Sequence, residues 1–172
     1  MNTRENTRLA VTGSSGYLAQ QFLRKYYKKR YNIPFILGLD IRKPKPDLTL
    51  ETVVLDWDVR QAGLEQVLKD YKIDTVLHLT FVFAPHHNER FVYDVDIEGT
   101  RNVFQACKNA GVRRIIYAGS TTSYGPWPDN PTDPELVTEE YPRRGHPKYL
   151  YSRHKAIVDG LSLQFMLENP RI

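Results

Sequence analysis

The stretch that decides the fold is residues 8–19, RLAVTGSSGYLA. Its apolar start at residues 9–11 predicts a buried strand, which ends in a turn containing Gly13 and Gly16. A segment with helical spacing follows. Glycine at a strand-to-helix turn lets the backbone approach a phosphate, and the N-terminus of the helix offers free N–H groups. The pattern is typical of a dinucleotide-binding turn, although Ala19 replaces the third glycine.

Strand-like apolar runs and helical patterns alternate along the rest of the chain. The sequence predicts further strands at 33–40, 52–55, 75–79 and 113–118. It predicts helices at 17–30, 61–71, 88–110 and 149–167, and a proline-rich loop at 125–147. Such alternation needs parallel strands joined by right-handed crossovers. We therefore expect an α/β fold, a doubly wound parallel sheet of the Rossmann type with strand order 3-2-1-4-5.

Composition and charge narrow the class of protein. With 172 residues, 41% hydrophobic and 26% charged, the chain suits one globular domain over residues 1–172. The single cysteine, Cys107, forms no internal disulfide and no apolar run is long enough to span a bilayer, so we expect a cytoplasmic protein without a membrane partner. The net charge of +4 comes without a recognition-helix pattern, and no histidines have metal-ligand spacing. We expect neither a nucleic-acid partner nor a metal.

Acidic residues follow two of the predicted strands. Asp40 ends the second strand, where a carboxylate can accept hydrogen bonds from both hydroxyls of an adenosine ribose. It would repel a 2′-phosphate, which favours NAD over NADP. Arg42 could pair with such a phosphate and keeps NADP open as the less favoured cofactor. After the third strand, Asp58 could accept from an adenine amino group while Val59 packs on the ring.

A tyrosine and a lysine on the last predicted helix could move a proton. Tyr151 and Lys155 are four residues apart and share one helix face. A nearby ammonium stabilises a phenolate and lowers the pKa of the tyrosine. Ser120 follows the fifth strand, at the edge of the sheet where ligands bind in such folds, and could hydrogen-bond a reacting substrate oxygen.

Taken in order, these motifs resemble the extended short-chain dehydrogenase/reductase family. Within it the chain is similar to NAD-dependent epimerases and dehydratases, typified by UDP-galactose 4-epimerase. The motifs that carry the resemblance are Thr12-Gly13-x-x-Gly16, Asp58, Gly99-Thr100-Arg101-Asn102-Val103, Ser120 with Tyr124-Gly125, and Tyr151 with Lys155.

The resemblance implies a role for each site residue. Ser120 would orient the substrate hydroxyl, Tyr151 would be the general base, and Lys155 would hold ribose hydroxyls and tune Tyr151. Arg42 joins the cofactor site through its place beside Asp40. The remaining cofactor contacts, from the pyrophosphate through the adenosine to the middle of the cofactor, would be Gly13, Ser15, Gly16, Tyr17, Leu18, Asp40, Ile41, Asp58, Val59, Leu79, Thr80 and Phe81.

Besides Ala19 in place of the third glycine, three features depart from the family pattern. Asp96 stands where the family often has asparagine, and a carboxylate cannot donate a hydrogen bond as an amide does. The segment 81–84, Phe-Val-Phe-Ala, is more apolar than the usual small-residue turn. Family members are typically about twice as long, which implies that this chain is the N-terminal cofactor-binding part and that the substrate lobe is missing.

Two functions are therefore expected. The first is an NAD-dependent epimerase or dehydratase, an oxidoreductase acting on a nucleotide sugar or another small hydroxyl substrate. The alternative is a dinucleotide-binding or interaction module without catalysis. The resemblance also implies a homodimer through the helices at 88–110 and 149–167. Phe91, Phe165 and Met166 could serve that interface, or face the sheet or the missing lobe.

Overall fold

The five strands form a single parallel sheet. The computed structural model describes residues 7–29, 33–43, 53–84, 86–131 and 137–172, with the backbone alone at 26–29. The strands lie in the order β3-β2-β1-β4-β5, and each neighbouring pair is parallel. This confirms the predicted strand order. Their bounds are β1 (Arg8–Thr12), β2 (Phe35–Asp40), β3 (Val53–Asp56), β4 (Thr75–His78) and β5 (Arg114–Tyr117).

The helices follow the strands as predicted, with one change. They are α1 (Tyr17–Lys29), α2 (Leu64–Asp70), α3 (Glu89–Tyr93), α4 (Gly99–Ala110) and α5 (Leu150–Glu168). The helix predicted at 88–110 consists of α3, a π-helical turn at Asp94–Glu98 and α4. Arg30, Thr52 and loop residues 132–136, which the predicted elements included, lie outside the described residues. None of the described helices combines the length and apolarity that crossing a bilayer requires.

Helices cover both faces of the sheet because successive strand residues point to opposite sides. On one face, Leu9 and Val11 of β1 pack with Ala19 and Leu23 of α1. On the other face, Ala10 packs in the core that also contains buried residues of β2, β4, α2 and α4: Leu37, Leu39, Val76, Leu64, Leu68, Val103 and Cys107. Two buried layers around one sheet give the doubly wound architecture.

Strand register brings the predicted site residues to one edge. Thr12, at the end of β1, lies opposite Leu39 of β2 and opposite His78 of β4. Asp40 lies opposite Asp56 at the end of β3. The carboxyl ends of these strands therefore finish together, and the loops that follow them surround the same space, which is where ligands bind in open parallel sheets.

Candidate functional site

A cavity of about 730 Å³ runs along the carboxyl edge of the sheet. Every predicted site residue except Ser15 and Ser120 contributes to its lining: Gly13, Gly16, Tyr17, Leu18, Asp40, Ile41, Arg42, Asp58, Val59, Leu79, Thr80, Phe81, Tyr151 and Lys155. Residues that the sequence analysis did not assign to the site also line it, among them Trp57, Arg60, Phe91 and Tyr117. One space thus connects the glycine turn to the tyrosine and lysine of α5.

The glycine turn is tight because another loop lies against it. Gly13 has φ +67°, and a Cβ there would lie 2.9 Å from the Cα of Thr80. Its N–H donates to the Leu39 carbonyl at 2.8 Å, and the Gly16 N–H donates to the Gly13 carbonyl at 2.9 Å. The first N–H groups of a helix have no partner within it, so the start of α1 offers donors to an anion such as a pyrophosphate.

Asp40 is held by the turn next to it. Its side chain is buried, its Oδ2 accepts from the Ser15 N–H at 2.9 Å, and its Oδ1 accepts from the Arg42 N–H at 2.9 Å. The Arg42 guanidinium also lies 3.3 Å from Oδ1. Two more hydrogen bonds come from the Arg42 guanidinium, one to each carboxylate oxygen, so four N–H groups fill about the number of sites that a carboxylate offers. Hydroxyls of a ligand would have to replace the Arg42 guanidinium. Ser15 does not line the cavity and contacts Asp40 through its N–H.

Asp58 and Val59 border the cavity in a loop fixed by α4. The Asp58 carboxylate accepts from the Arg60 guanidinium at 2.9 Å, and this hydrogen bond lowers the pKa of Asp58. A Cβ on Gly99 would lie 2.7 Å from Cγ2 of Val59, so glycine is needed for the close approach. Asn102 donates its amide to the Val59 carbonyl at 2.7 Å. The Gly99 and Asn102 positions of the sequence motif thus shape this end of the cavity.

Two residues of the cavity lining have a buried polar atom without a partner. Within the part of the chain that the structure describes, these atoms are the Thr80 Oγ1 and the Trp57 Nε1. The fit to a ligand rests instead on the helix N–H groups beside Gly16 and on the length of the cavity, which suit an elongated ligand with an anionic centre. Among the described residues, no group of His, Cys, Asp or Glu is arranged to hold a metal ion.

Lys155 is near Tyr151, as the spacing predicts, but its hydrogen bonds go elsewhere. The Nζ donates to the Ala118 carbonyl at 2.8 Å and to the Tyr117 hydroxyl at 3.1 Å. It lies 5.7 Å from the centre of the Tyr151 ring and 3.8 Å from the centre of the Phe81 ring. Lys155 is only 4% exposed, and burial lowers its pKa to about 8.

Aromatic rings surround Tyr151. The rings of Phe81 and Phe83 meet it edge-on, with centres 5.4 and 5.3 Å away, and the Tyr149 ring lies at 5.8 Å. Phe83 is 71% exposed, whereas Lys155 behind this group is buried. The proton-transfer residue predicted from the sequence therefore stands in an apolar wall at one end of the cavity.

Ser120 lies apart from the cavity lining. Its Oγ is 2.9 Å from the Thr122 Oγ1 and accepts from the Thr122 N–H at 3.3 Å. This contact caps a short 3₁₀ helix at Thr121–Tyr124. The substrate-orienting role that the resemblance implies for Ser120 stays a prediction.

A buried pair links the loop after β4 to α5. The Asp96 Oδ2 lies 2.8 Å from the His154 Nδ1, and both side chains are almost fully inaccessible to solvent. The Asp96 Oδ1 accepts from the Val82 N–H at 2.8 Å. Asp96 thus has a role as a double acceptor, in place of the donor role of an asparagine. The sequence analysis missed His154 because no local pattern shows that residues 58 positions apart meet.

A second buried histidine connects β1, β4 and α4. His78 lies 2.6 Å from the Thr12 hydroxyl through Nδ1 and 3.0 Å from the Thr100 hydroxyl through Nε2. Burial, with a smaller effect of the Lys155 charge, lowers the pKa of His78 to about 3. The imidazole is therefore neutral and structural.

Comparisons with known proteins agree with this architecture. Human sterol-4-alpha-carboxylate 3-dehydrogenase, decarboxylating, is 28% identical over 122 residues, covering 71% of this chain and 31% of that protein. The UDP-Glc/GlcNAc 4-epimerase from Campylobacter jejuni superposes with a TM-score of 0.78 at 21% identity, covering 96% of this chain and 50% of that one. The enzyme WbmG from Bordetella bronchiseptica, solved in complex with NAD, superposes with a TM-score of 0.78 at 19% identity. The match covers 95% of this chain and 51% of that one. The chain spans about half the length of these two structures.

The structural likenesses show the fold, and the sequence relationship shows the family. The profile of the NAD dependent epimerase/dehydratase family matches residues 9–169, nearly the whole chain. The cofactor predicted from Asp40 is the one that this description names. The chain therefore belongs to the NAD dependent epimerase/dehydratase family.

Proposed function

We propose that this chain binds NAD along the cavity and that Tyr151 is the proton-transfer group for oxidation of a substrate hydroxyl at its end. The observation that carries the proposal is the continuity of the cavity from Gly13 and Gly16 to Tyr151 and Lys155. A dinucleotide has its phosphates in the middle and a reactive ring at one end. The cavity lining suits both parts. The N–H groups at the start of α1 would bind the phosphates, and Tyr151 would lie near the reactive ring.

The contacts of Asp40 support NAD rather than NADP. The carboxylate is positioned by the Ser15 N–H. Arg42, which could pair with a 2′-phosphate of NADP, is paired with Asp40 at 3.3 Å, and ribose hydroxyls would replace its guanidinium as donors to the carboxylate. A 2′-phosphate would face the negative charge of Asp40 itself.

Tyr151 would take the hydroxyl proton from the substrate. Bound NAD would supply the hydride acceptor for the carbon that bears this hydroxyl, so the substrate would become a carbonyl compound. The ammonium of Lys155 lies 5.7 Å from the centre of the Tyr151 ring. Return of the hydride to the other face of the same carbon, together with return of the proton from Tyr151 to the oxygen, would complete an epimerase cycle.

The substrate is proposed to be a nucleotide sugar or another small hydroxyl compound. The Campylobacter jejuni neighbour is named for UDP-sugars, which supports the first class. The human relative is named for a sterol carboxylate, which supports a broader range of hydroxyl substrates. For either class we propose that the reacting substrate hydroxyl lies beside Tyr151.

Turnover with a matched pair of tyrosine variants tests the proposal. The chain is incubated with NAD and UDP-glucose, NADH is followed by absorbance, and UDP-galactose is followed by chromatography. We expect Tyr151→Phe to lower the rate at least about 100-fold, because a positioned acid–base group contributes that much or more. Tyr149→Phe, which changes a neighbouring ring, should keep the rate near wild type. Equal rates for wild type and Tyr151→Phe would contradict the mechanism.

A dinucleotide-binding module without catalysis is the second candidate. One observation favours it: Ser120 is engaged with Thr122 outside the cavity lining. NAD binding without turnover of either UDP-sugar would support this candidate. Turnover that depends on Tyr151 would exclude it.

We also propose that the chain forms a homodimer through α5. The helix exposes four large apolar residues, a larger number than a solvated helix face usually carries: Ile157, Leu163, Met166 and Leu167. Phe165, in contrast, packs against Phe104 with ring centres 5.1 Å apart, so it serves the core. Light scattering tests the proposal, and a monomer mass at high concentration would contradict it.

A further inference from the structure

Phe81 covers the ammonium group of Lys155. The Nζ lies 3.8 Å from the centre of the Phe81 ring, a cation–π contact, and Lys155 is 4% exposed. The ammonium has three N–H donors. Two of them reach the Ala118 carbonyl and the Tyr117 hydroxyl, and the Phe81 ring lies against the ammonium as well. Lys155 borders the cavity, but its ammonium is almost completely covered while Phe81 stays in this position.

A ligand that hydrogen-bonds Lys155 must displace this ring. We propose that Phe81 is a gate on the nicotinamide half of the NAD site, closed over Lys155 in the free protein and swung aside when that half binds. The inference rests on the proposed function, because it takes NAD as the ligand. It adds that Phe81 controls how tightly the protein binds the nicotinamide half of NAD.

The backbone under Phe81 is fixed, so the movement is confined to its side chain. The Val82 N–H donates to Asp96 at 2.8 Å, and Asp96 is bound to the buried His154. On the other side, the Thr80 N–H lies 3.4 Å from the Thr12 hydroxyl. A phenylalanine on a fixed backbone moves between staggered rotamers. The cavity that Phe81 lines provides the space for that movement.

The gate should affect the binding free energy of the nicotinamide half of NAD and not that of the adenosine half. The adenosine end, at Asp40 and Asp58, is lined by other loops and does not involve Phe81. ADP should therefore bind without opening the gate, whereas NAD must open it. When only a fraction of the protein is competent to bind, the apparent dissociation constant rises by the inverse of that fraction. Removing the ring should tighten NAD binding and leave ADP binding unchanged.

Calorimetric titration of wild type, Phe81→Ala and Phe81→Leu with NAD and with ADP tests the gate. We expect both variants to bind NAD more tightly, by between about twofold and about 30-fold, the range that loss of a cation–π contact gives from an exposed to a desolvated setting. Their ADP affinity should equal that of wild type, which also reports that the variants are folded. Phe81→Leu keeps apolar volume without an aromatic face, so it keeps the test available if the alanine variant unfolds.

Phe83→Ala is the matched control. Phe83 belongs to the same loop and contacts Tyr151, but Phe81 is the ring against the ammonium. We expect this variant to leave the ratio of NAD to ADP affinity unchanged. Unchanged or weaker NAD binding by the Phe81 variants, with normal ADP binding, would overturn the gate alone. Failure of wild type to bind either ligand would overturn the gate together with the proposed function.

Discussion

Replacing His154 by alanine should destabilise the protein strongly, because it would leave a buried carboxylate short of a partner. Asp96 is fully buried and His154 is 4% exposed in its side chain, with 2.8 Å between the Oδ2 and the Nδ1. After the substitution only the Val82 N–H would donate to Asp96. Leaving a buried carboxylate without one of its hydrogen-bond partners costs about 3 kcal/mol or more. Since urea slopes are typically about 1–3 kcal/mol/M, the midpoint of unfolding should fall by about 2 M.

A second substitution separates the charge effect from the loss of packing. In Asp96→Asn/His154→Ala the amide is neutral, and its oxygen can still accept from the Val82 N–H. The penalty for an unpaired buried charge is then absent. We expect the double variant to be more stable than His154→Ala by about 2 kcal/mol, although it carries one more substitution.

Urea unfolding followed by circular dichroism measures both effects. His87→Ala, at an exposed histidine, is the control and should stay close to wild type. The reasoning would be refuted by a His154→Ala variant within about 1 kcal/mol of wild type, the range of ordinary substitutions. It would also be refuted if the double variant were no more stable than the single one.

Three other changes have expected outcomes. Burial lowers the pKa of Lys155 from 10.5 to about 8. Between these two pH values the unfolded chain binds more protons than the folded protein, so the free energy of unfolding rises with pH over this range. Urea titrations from pH 8 to pH 10.5 should show this rise in wild type relative to Lys155→Met, and parallel profiles would argue against it. Gly13 (φ +67°) and Gly111 (φ +74°) both have a positive φ, but only a Cβ on Gly13 would meet another residue, 2.9 Å from Thr80. Thermal unfolding should therefore show a larger loss of stability for Gly13→Ala than for Gly111→Ala. Equal losses of about 1–2 kcal/mol, the cost of the backbone conformation alone, would show that the contact with Thr80 is unimportant. Burial raises the pKa of Cys107 to about 12, so a thiol reagent should label it only at the rate of unfolding, and rapid labelling of the native protein would be inconsistent with the structure.

The fold was predictable because its signals are local. A glycine turn after a short apolar run, then alternating strand and helix patterns, specify a parallel sheet with helices on both faces. Asp40 could be assigned to the carboxyl edge because it ends an apolar strand. The same reasoning placed Asp58 near that edge, and the resemblance to the family placed Tyr151 and Lys155 in the site. The cavity lining contains all four.

The contacts within the site were not predictable because they join distant residues. The π-helical turn at Asp94–Glu98 interrupts a stretch that reads as a single amphipathic helix, and it contains the buried Asp96. No periodicity signals that Asp96 meets His154, or that Phe81 lies on Lys155. Sequence spacing predicted that Lys155 is near Tyr151. It could not predict that the ammonium hydrogen-bonds to Ala118 and Tyr117 instead.

A crystal structure of the chain grown with NAD tests the central claim most directly. The account predicts that the adenosine ribose hydroxyls lie within hydrogen-bond distance of Asp40 and that the pyrophosphate lies at the Gly13–Gly16 turn. It further predicts that the nicotinamide end lies beside Tyr151, with Phe81 moved away from Lys155. NAD bound elsewhere on the protein, or in the cavity with its nicotinamide end remote from Tyr151, would contradict the account.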